Sequence, residues 1–257
     1  MANRLKEERQ ELILQATQDH GHVTVGELSR SLDVSAVTVR RDLRELAAQG
    51  LLHRAHGGAV RESPASPEPP VVQRMGEQDA SKARIGRTAA ALVSDGESVF
   101  IGSGSTTVFV ARNLVDRKDL TVVTNALNVA AEFATAGGVT VVVTGGMMRA
   151  SELSLVGHIT EQALREVRVD RVIMGMWAID LEGGMTNDYL PEVVTDRTII
   201  EMATELVLVA DHTKFGKVAA AYVAPVERIT TLVTDAQTNQ MILTRLQQMG
   251  VRVVIAN

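Results

Sequence analysis

Gly102-Ser103-Gly104-Ser105-Thr106-Thr107 sets two glycines among four hydroxyl side chains. A β-branched run, Val99 to Gly102, leads into it, and a helical pattern over Thr106–Leu114 follows. The glycines let the backbone approach a ligand closely. The hydroxyls add donors, and a helix N-terminus favours an anion. The chemistry is the cradling of a phosphate. No Gly-Lys-Ser/Thr follows, so this is not a Walker loop. Position 107 is Thr where a dinucleotide fingerprint has Gly, and the second strand ends in Asn125 rather than an acid. A tight strand-to-helix turn without a ligand is the competing reading.

Other strand ends supply Thr124-Asn125, Gly145-Gly146, Asp180 and the segment Asp211 to Gly216, which contains Lys214. Lys214 can neutralise a phosphate or contact a sugar oxygen, and Asp180 can accept from sugar hydroxyls. A surface lysine and a turn acid are the plainer alternatives. His20-x-His22 and His53-x-x-His56 could be metal ligands, but with no third and fourth ligand spaced nearby they are read as solvent or phosphate-backbone histidines; no metal is expected, and separately no cofactor. Met147-Met148 and Met174-x-Met176 are read as core packing.

These residues need a scaffold that gathers strand ends. Short β-branched runs occur at Val99–Gly102, Leu120–Thr124, Val139–Val143, Arg171–Met174, Leu206–Ala210, Thr231–Thr234 and Val251–Ile255. Helical patterns lie between most of them, at Thr106–Leu114, Ala126–Ala136, Ile159–Val167, Val193–Thr204 and Thr238–Met249, with another ahead at Ser81–Val93. This alternation predicts an α/β fold, a mostly parallel sheet with helices on both faces. Ligands in such sheets collect beyond the carboxyl ends of the strands.

Four of the six prolines fall between Pro64 and Pro70 and predict an extended linker over residues 61–73. It separates a domain of residues 1–60 from a body of residues 74–257. The small domain has its own logic. Arg4 to Asp19 is a helical run with Leu5, Arg9, Leu12, Ile13 and Ala16 on one side. Thr24 and Glu27 form a capping box that opens a short helix through Leu32. Asp33-Val34 turns into a helix capped by Ser35, with Ala36, Val39, Leu43 and Leu46 as its buried stripe. Val37, Thr38, Arg41, Arg44 and Glu45 lie opposite, with Arg40 on the flank. Gly50 ends that helix, Leu51 to Arg54 reads as a strand, and Gly57-Gly58 as a hairpin tip. Helix, short helix, turn, helix and basic wing is the winged helix-turn-helix order. It suits a DNA major groove and its flanking phosphates. The candidate DNA contacts are Ser35, Thr38, Arg40, Arg41, Arg44, Arg54, His56, Gly57 and Gly58.

Composition sets the outer limits. The chain has 257 residues, no cysteine and a net charge of −5. The absence of cysteine fits a reducing cytoplasm. MANRLKEERQ lacks an apolar h-region, so no signal peptide is expected, and no apolar run reaches the length of a membrane span. Residues 1–62 hold 9 Lys+Arg and 9 Asp+Glu, leaving 17 against 22 in the remainder. DNA binding must therefore rest on local geometry rather than on overall charge.

Ser35-x-x-Thr38-Val39-Arg40-Arg41-Asp42-Leu43 followed by Arg54-x-His56-Gly57-Gly58-Ala59 resembles the DNA-binding domain of DeoR-type (deoxyribose-operon-repressor-like) bacterial regulators. IGSGSTT, TNALNVA, VTGGMMR, SLVG and ADHTKFG are similar, in the same order, to their sensor domain. The resemblance implies a body related in fold to ribose-5-phosphate isomerase that senses a sugar phosphate, and an oligomeric cytoplasmic repressor, dimeric or tetrameric, of a carbohydrate operon. By position it carries the phosphate loop onto Ser103, Gly104, Ser105, Thr106 and Thr107, and the family lysine onto Lys214. Where many members have Asp, this chain has Gly102, which bears on the sugar hydroxyls that are read.

Isomerisation needs a carboxylate base and groups that stabilise enediolate oxygens. The isomerase pattern Gly-Ala-Asp-Glu-x-Asp is replaced here by Gly175-Met176-Trp177-Ala178-Ile179-Asp180, and only Asp180 survives. Glu182 stands where the enzyme has a lysine before the glycines. A sensor is therefore expected rather than a catalyst. An isomerase-like enzyme with a DNA-binding head and an architectural DNA binder are the alternatives. Trp177 is assigned either to stacking on a sugar face or to a core or interface role.

Overall fold

The computed structural model describes residues 6–20, 22–48, 52–55, 58–61 and 69–257. The chain forms two units, Met1–Ser66 with Gly216–Val218 and Pro67–Phe215 with Ala219–Asn257. The first contains α1 (Lys6–His20), β1 (His22–Thr24), α2 (Val25–Leu32), α3 (Ala36–Ala48), β2 (Leu52–Ala55) and β3 (Gly58–Arg61). The strands pair antiparallel in the order β1-β3-β2.

Local chemistry explains each joint. The Thr24 hydroxyl accepts from the Glu27 N–H at 3.1 Å, and the Glu27 carboxylate accepts from the Thr24 N–H at 2.9 Å, so the capping box is complete. Asp33 takes a left-handed φ of 52° to turn the chain into α3. Val39, Leu43 and Leu46 form the buried stripe and pack with Ile13, Leu28, Leu32 and Leu52. On α1 the inward face shares Arg9, Ile13 and Ala16 with the expected one and differs at Leu12. Leu12 is exposed, while Arg9, Ile13 and Thr17 point inward at i, i+4 and i+8. Arg4, Leu5, Gly50, Leu51, His56 and Gly57 lie outside the described residues, and Gly58 opens the return strand of the wing.

The second unit begins with α4 (Val71–Arg74) and α5 (Asp79–Ala90). Then follow β4 (Ser98–Ile101), α6 (Ser105–Arg112), β5 (Leu120–Thr124), α7 (Leu127–Glu132), β6 (Val139–Val143), β7 (Met147–Arg149), β8 (Ser154–Val156), α8 (His158–Glu166) and β9 (Arg171–Met174). The remainder is β10 (Ala178–Asp180), β11 (Gly184–Asn187), α9 (Leu190–Met202), β12 (Leu206–Val209), β13 (Ala221–Ala224), β14 (Thr231–Asp235), α10 (Gln240–Gln248) and β15 (Arg252–Ala256). Arg61 still belongs to the wing and Val71 already opens α4, so elements reach into both ends of the stretch read as linker.

The seven β-branched runs form one sheet in the order β15-β14-β12-β9-β4-β5-β6, and every pair is parallel. Two apolar layers cover its faces. One is built on Phe100, Val172, Leu206, Leu208 and Leu246, the other on Ile85, Val99, Ile101, Val108 and Val122. Chain order reverses between β4 and β9, because β5 and β6 continue to one side and β12, β14 and β15 to the other. That reversal leaves a crevice at the carboxyl ends of the two central strands. Two small antiparallel sheets, β7-β8 and β10-β11-β13, lie outside the sequence reading. Met174 and Met176 are buried as expected, but Met147 and Met148 are 61% and 50% exposed because they sit on the β7–β8 hairpin.

Candidate ligand pocket and DNA-binding face

A pocket opens at this reversal point. Ser103, Gly104, Ser105 and Thr106 line it from the end of β4, and Gly175, Met176 and Trp177 from the end of β9. Val209, Ala210 and Lys214 line it from the end of β12. Gly104 has φ +136° and ψ 159°, a conformation open to glycine and strained for other residues. The Thr107 hydroxyl donates to the Gly104 carbonyl at 2.9 Å and so holds the loop from behind. Gly86 on α5 lets α6 approach closely, since a Cβ there would lie 2.6 Å from Phe109.

Lys214 ends a 3-10 turn, His212–Lys214, that is anchored twice. Asp211 accepts from the Thr213 N–H at 2.9 Å, and the His212 ring lies 2.9 Å from the buried Asp235 carboxylate. Burial pushes the Asp235 carboxyl up. The His212 ring and the His212 and Gln237 amides together hold it below its ordinary value. The Lys214 ammonium then lies 4.2 Å from the centre of the Trp177 ring.

Charged and polar side chains complete the pocket. Arg74, Glu152, Asn187, Glu192 and Asp196 line its other walls. Arg74 pairs with Glu152, and Arg149 pairs with Glu192 and with Asp188. Ser154 donates to Glu192 at 2.8 Å, and Asn187 donates to Asp196 at 3.0 Å. Burial raises the Glu152 carboxyl above the usual range. Arg74 and Arg149 oppose that rise, and Glu192 adds to it.

In the first unit α3 presents its outer face. Arg40, Arg41 and Arg44 are exposed, and Val37 is 73% exposed. The Ser35 hydroxyl accepts from the Thr38 N–H at 3.2 Å and lies 2.9 Å from the Thr38 hydroxyl. Glu45 leaves the outer face. It pairs with Lys6 at 2.6 Å and accepts from Gln10 at 3.0 Å, and its carboxyl falls below the ordinary value through the Lys6 contact. Its other oxygen lies 3.5 Å from Arg41. The side chains of His53 and Arg54 lie outside the described residues, as do His56 and Gly57.

The chain matches the model of the DeoR-like helix-turn-helix domain over residues 9–65 and of the DeoR C-terminal sensor domain over residues 77–236. It belongs to the DeoR family. The transcriptional repressor AccR of Agrobacterium fabrum is 32% identical over 252 residues, 98% of each chain. The glycerol-3-phosphate regulon repressor of Escherichia coli is 35% identical over 224 residues, 87% of this chain and 88% of that protein. The putative aga operon transcriptional repressor of Escherichia coli O157:H7 is 33% identical over 250 residues, 96% of this chain and 93% of that protein. Ribose 5-phosphate isomerase A from Neisseria gonorrhoeae is similar over 54% of both chains, at 19% identity and a TM-score of 0.40. As a DeoR-family protein the chain is a DNA-binding transcriptional repressor with a sensor body, and not an enzyme. No helix among the described residues is long and apolar enough to cross a membrane. No group of three or more His, Cys, Asp or Glu among them is arranged to hold a metal ion.

Of the sensor residues expected from this DeoR-family sequence, Ser103, Gly104, Ser105, Thr106 and Lys214 meet at the pocket. Thr107, Thr124, Asn125, Gly145, Gly146 and Asp180 are not among its lining. Thr124 donates to the Ile101 carbonyl at 2.6 Å, and Asn125 to the Leu155 carbonyl at 3.1 Å. The Gly145 carbonyl accepts from Thr160 at 2.7 Å, and Gly146 packs against the same Thr160 side chain. Asp180 accepts from the Glu182 and Gly183 amides and closes the β10–β11 turn. A Cβ at Gly102 would lie 3.2 Å from the Met174 Cβ, so a larger residue there must displace Met174. Arg74, Glu152, Asn187, Glu192 and Asp196 escaped the sequence reading. None follows a strand of the main sheet, which was the signal used to find the others.

Proposed function

We propose that this DeoR-family chain regulates a carbohydrate-metabolism operon from the cytoplasm as a homo-oligomer, a dimer or tetramer. Its operator affinity is controlled by a phosphorylated sugar in the pocket. The observation that carries the reading is the convergence of the Ser103–Thr106 loop and Lys214, from two different strands, on the reversal point of the sheet. Backbone N–H groups at the start of α6, the hydroxyls and one ammonium are the donors a phosphate ester needs. The polar groups of Asn187, Glu192 and Asp196 suit sugar hydroxyls. The name of one Escherichia coli relative, the glycerol-3-phosphate regulon repressor, supports a phosphorylated effector.

In the head, α3 enters the major groove. Thr38, Arg40, Arg41 and Arg44 face bases and phosphates, Ser35 fixes the start of the helix, and the wing from Arg54 to Gly58 lies along the backbone. One winged helix makes few contacts, so two heads on paired half-sites account for specific binding. Control requires that the ligand bind the two arrangements of the oligomer with different affinity.

The test is fluorescence anisotropy on DNA from upstream of the gene at fixed salt, with sugar phosphates and their unphosphorylated parents. One ester that shifts the affinity while its parent sugar does not is the expected result. Specific binding that no ester shifts would count against a sensor.

A further inference from the structure

Glu152 is 3% exposed, lines the pocket and uses only one of its two carboxylate oxygens. Oε2 takes the Arg74 guanidinium. Oε1 is buried without a hydrogen-bond donor. A buried acceptor left unmatched destabilises the fold, and a donor supplied from outside recovers that cost. The pocket also offers donors for a phosphate, on Ser103–Thr106 and Lys214. A carboxylate oxygen repels a phosphate and attracts a hydroxyl.

Arg74 leads elsewhere. Its Nε donates to the Pro69 carbonyl at 2.8 Å. The Lys82 ammonium, itself buried, donates to the Arg74 carbonyl and, at 2.6 Å, to the Glu77 carbonyl. The residue before Glu152 acts on the same segment, because the Ser151 carbonyl accepts from the Val71 N–H at 2.7 Å. The Ser151–Glu152 loop therefore holds Pro69, Val71 and Arg74, the stretch of the body that continues from the Pro-rich linker. Its side-chain anchor is the same carboxylate that carries the unpartnered Oε1.

Building on the reading of the pocket as a phosphorylated-sugar site, we propose that Glu152 reads a hydroxyl of the bound ester through Oε1 and passes occupancy through Arg74 to the Pro69–Arg74 segment. The phosphate loop then supplies affinity common to all esters. Glu152 supplies the choice among them and the link to the segment next to the linker.

Trp177, the chain's single tryptophan, lines the pocket and reports binding by its fluorescence. Full-length protein and Glu152→Gln are titrated with inorganic phosphate, glycerol 3-phosphate, ribose 5-phosphate and hexose 6-phosphates. Amide hydrogen exchange over residues 71–75 is followed with and without saturating ester. In the parent protein the best ester slows exchange there. In Glu152→Gln its affinity falls tenfold or more, inorganic phosphate changes less than twofold, and the slowing is lost even at saturation. Glu152→Asp, which keeps a charge for Arg74 but withdraws it by one methylene, follows the same order with a smaller loss. Equal losses for phosphate and ester, no loss for either, or slowing that survives in Glu152→Gln overturns the proposal. A parent protein that binds none of the probes overturns the pocket reading itself, and this inference with it.

Discussion

Arg9 on α1 holds Asp42 on α3 through two hydrogen bonds, Nε to Oδ2 at 2.5 Å and an Nη2 to Oδ1 at 3.1 Å, with both side chains buried. The DNA-facing helix is thus fixed to the first helix by a fork-shaped ion pair beside the apolar stripe of Val39, Leu43 and Leu46. Removing one partner leaves a buried charge alone, at a cost of about 3–5 kcal/mol. Asp42→Ala should unfold the head at a lower urea concentration and abolish operator binding. Ester binding measured at Trp177 should stay intact. A variant with parent-like operator affinity would remove Asp42 from this role.

Arg41 is the arginine of α3 that lies near Glu45, at 3.5 Å. A bidentate contact to a guanine is worth roughly 1–3 kcal/mol of discrimination. Arg41→Ala should weaken specific operator binding by that amount and scrambled DNA by much less. A uniform loss across both, with a shallower salt dependence, reassigns Arg41 to phosphate contact.

Lys214 should act on every ester alike. Charge-assisted hydrogen bonds contribute roughly 1.5–3 kcal/mol, so Lys214→Met should weaken inorganic phosphate and all esters by about ten- to a hundredfold. It should also change the Trp177 emission before any ligand is added, because the ammonium sits over the ring. A loss confined to one ester would place Lys214 at the sugar rather than at the phosphate.

Asp235 sets an acid limit on the same turn. Folding favours its ionised form, so its contribution is complete above the unfolded value near 4 and is lost as the pH falls through the depressed folded value. Asp235→Asn should therefore destabilise the body at pH 7 and by a smaller margin at pH 3. Urea unfolding at the two pH values measures this, and an equal gap at both contradicts it.

The sheet was legible because β-branched runs such as Leu120–Thr124 and Leu206–Val209 mark buried parallel strands directly. The loop at Ser103–Thr106 and Lys214 was legible because strand ends are where such a fold binds ligands. The short strands Ala178–Asp180, Gly184–Asn187 and Ala221–Ala224 were not, since three or four residues carry too little alternation. Arg74 was hidden at the edge of a proline-rich stretch. Glu152 was hidden in a hairpin turn, where an acid ordinarily faces water.

Glu192 and Asp196 were hidden for a further reason, which reaches beyond this site. Along α9 the acids Glu192 and Asp196 are buried, while Leu190 and Val194 are 69% and 48% exposed. The usual scale of substitution severity is inverted there. Leu190→Glu, drastic by residue type, should be nearly silent. Glu192→Leu, which resembles ordinary core filling, should strip Arg149 and Ser154 of their shared acceptor. A survey of natural variants that ranks changes by hydrophobicity alone would misorder these four positions of the helix.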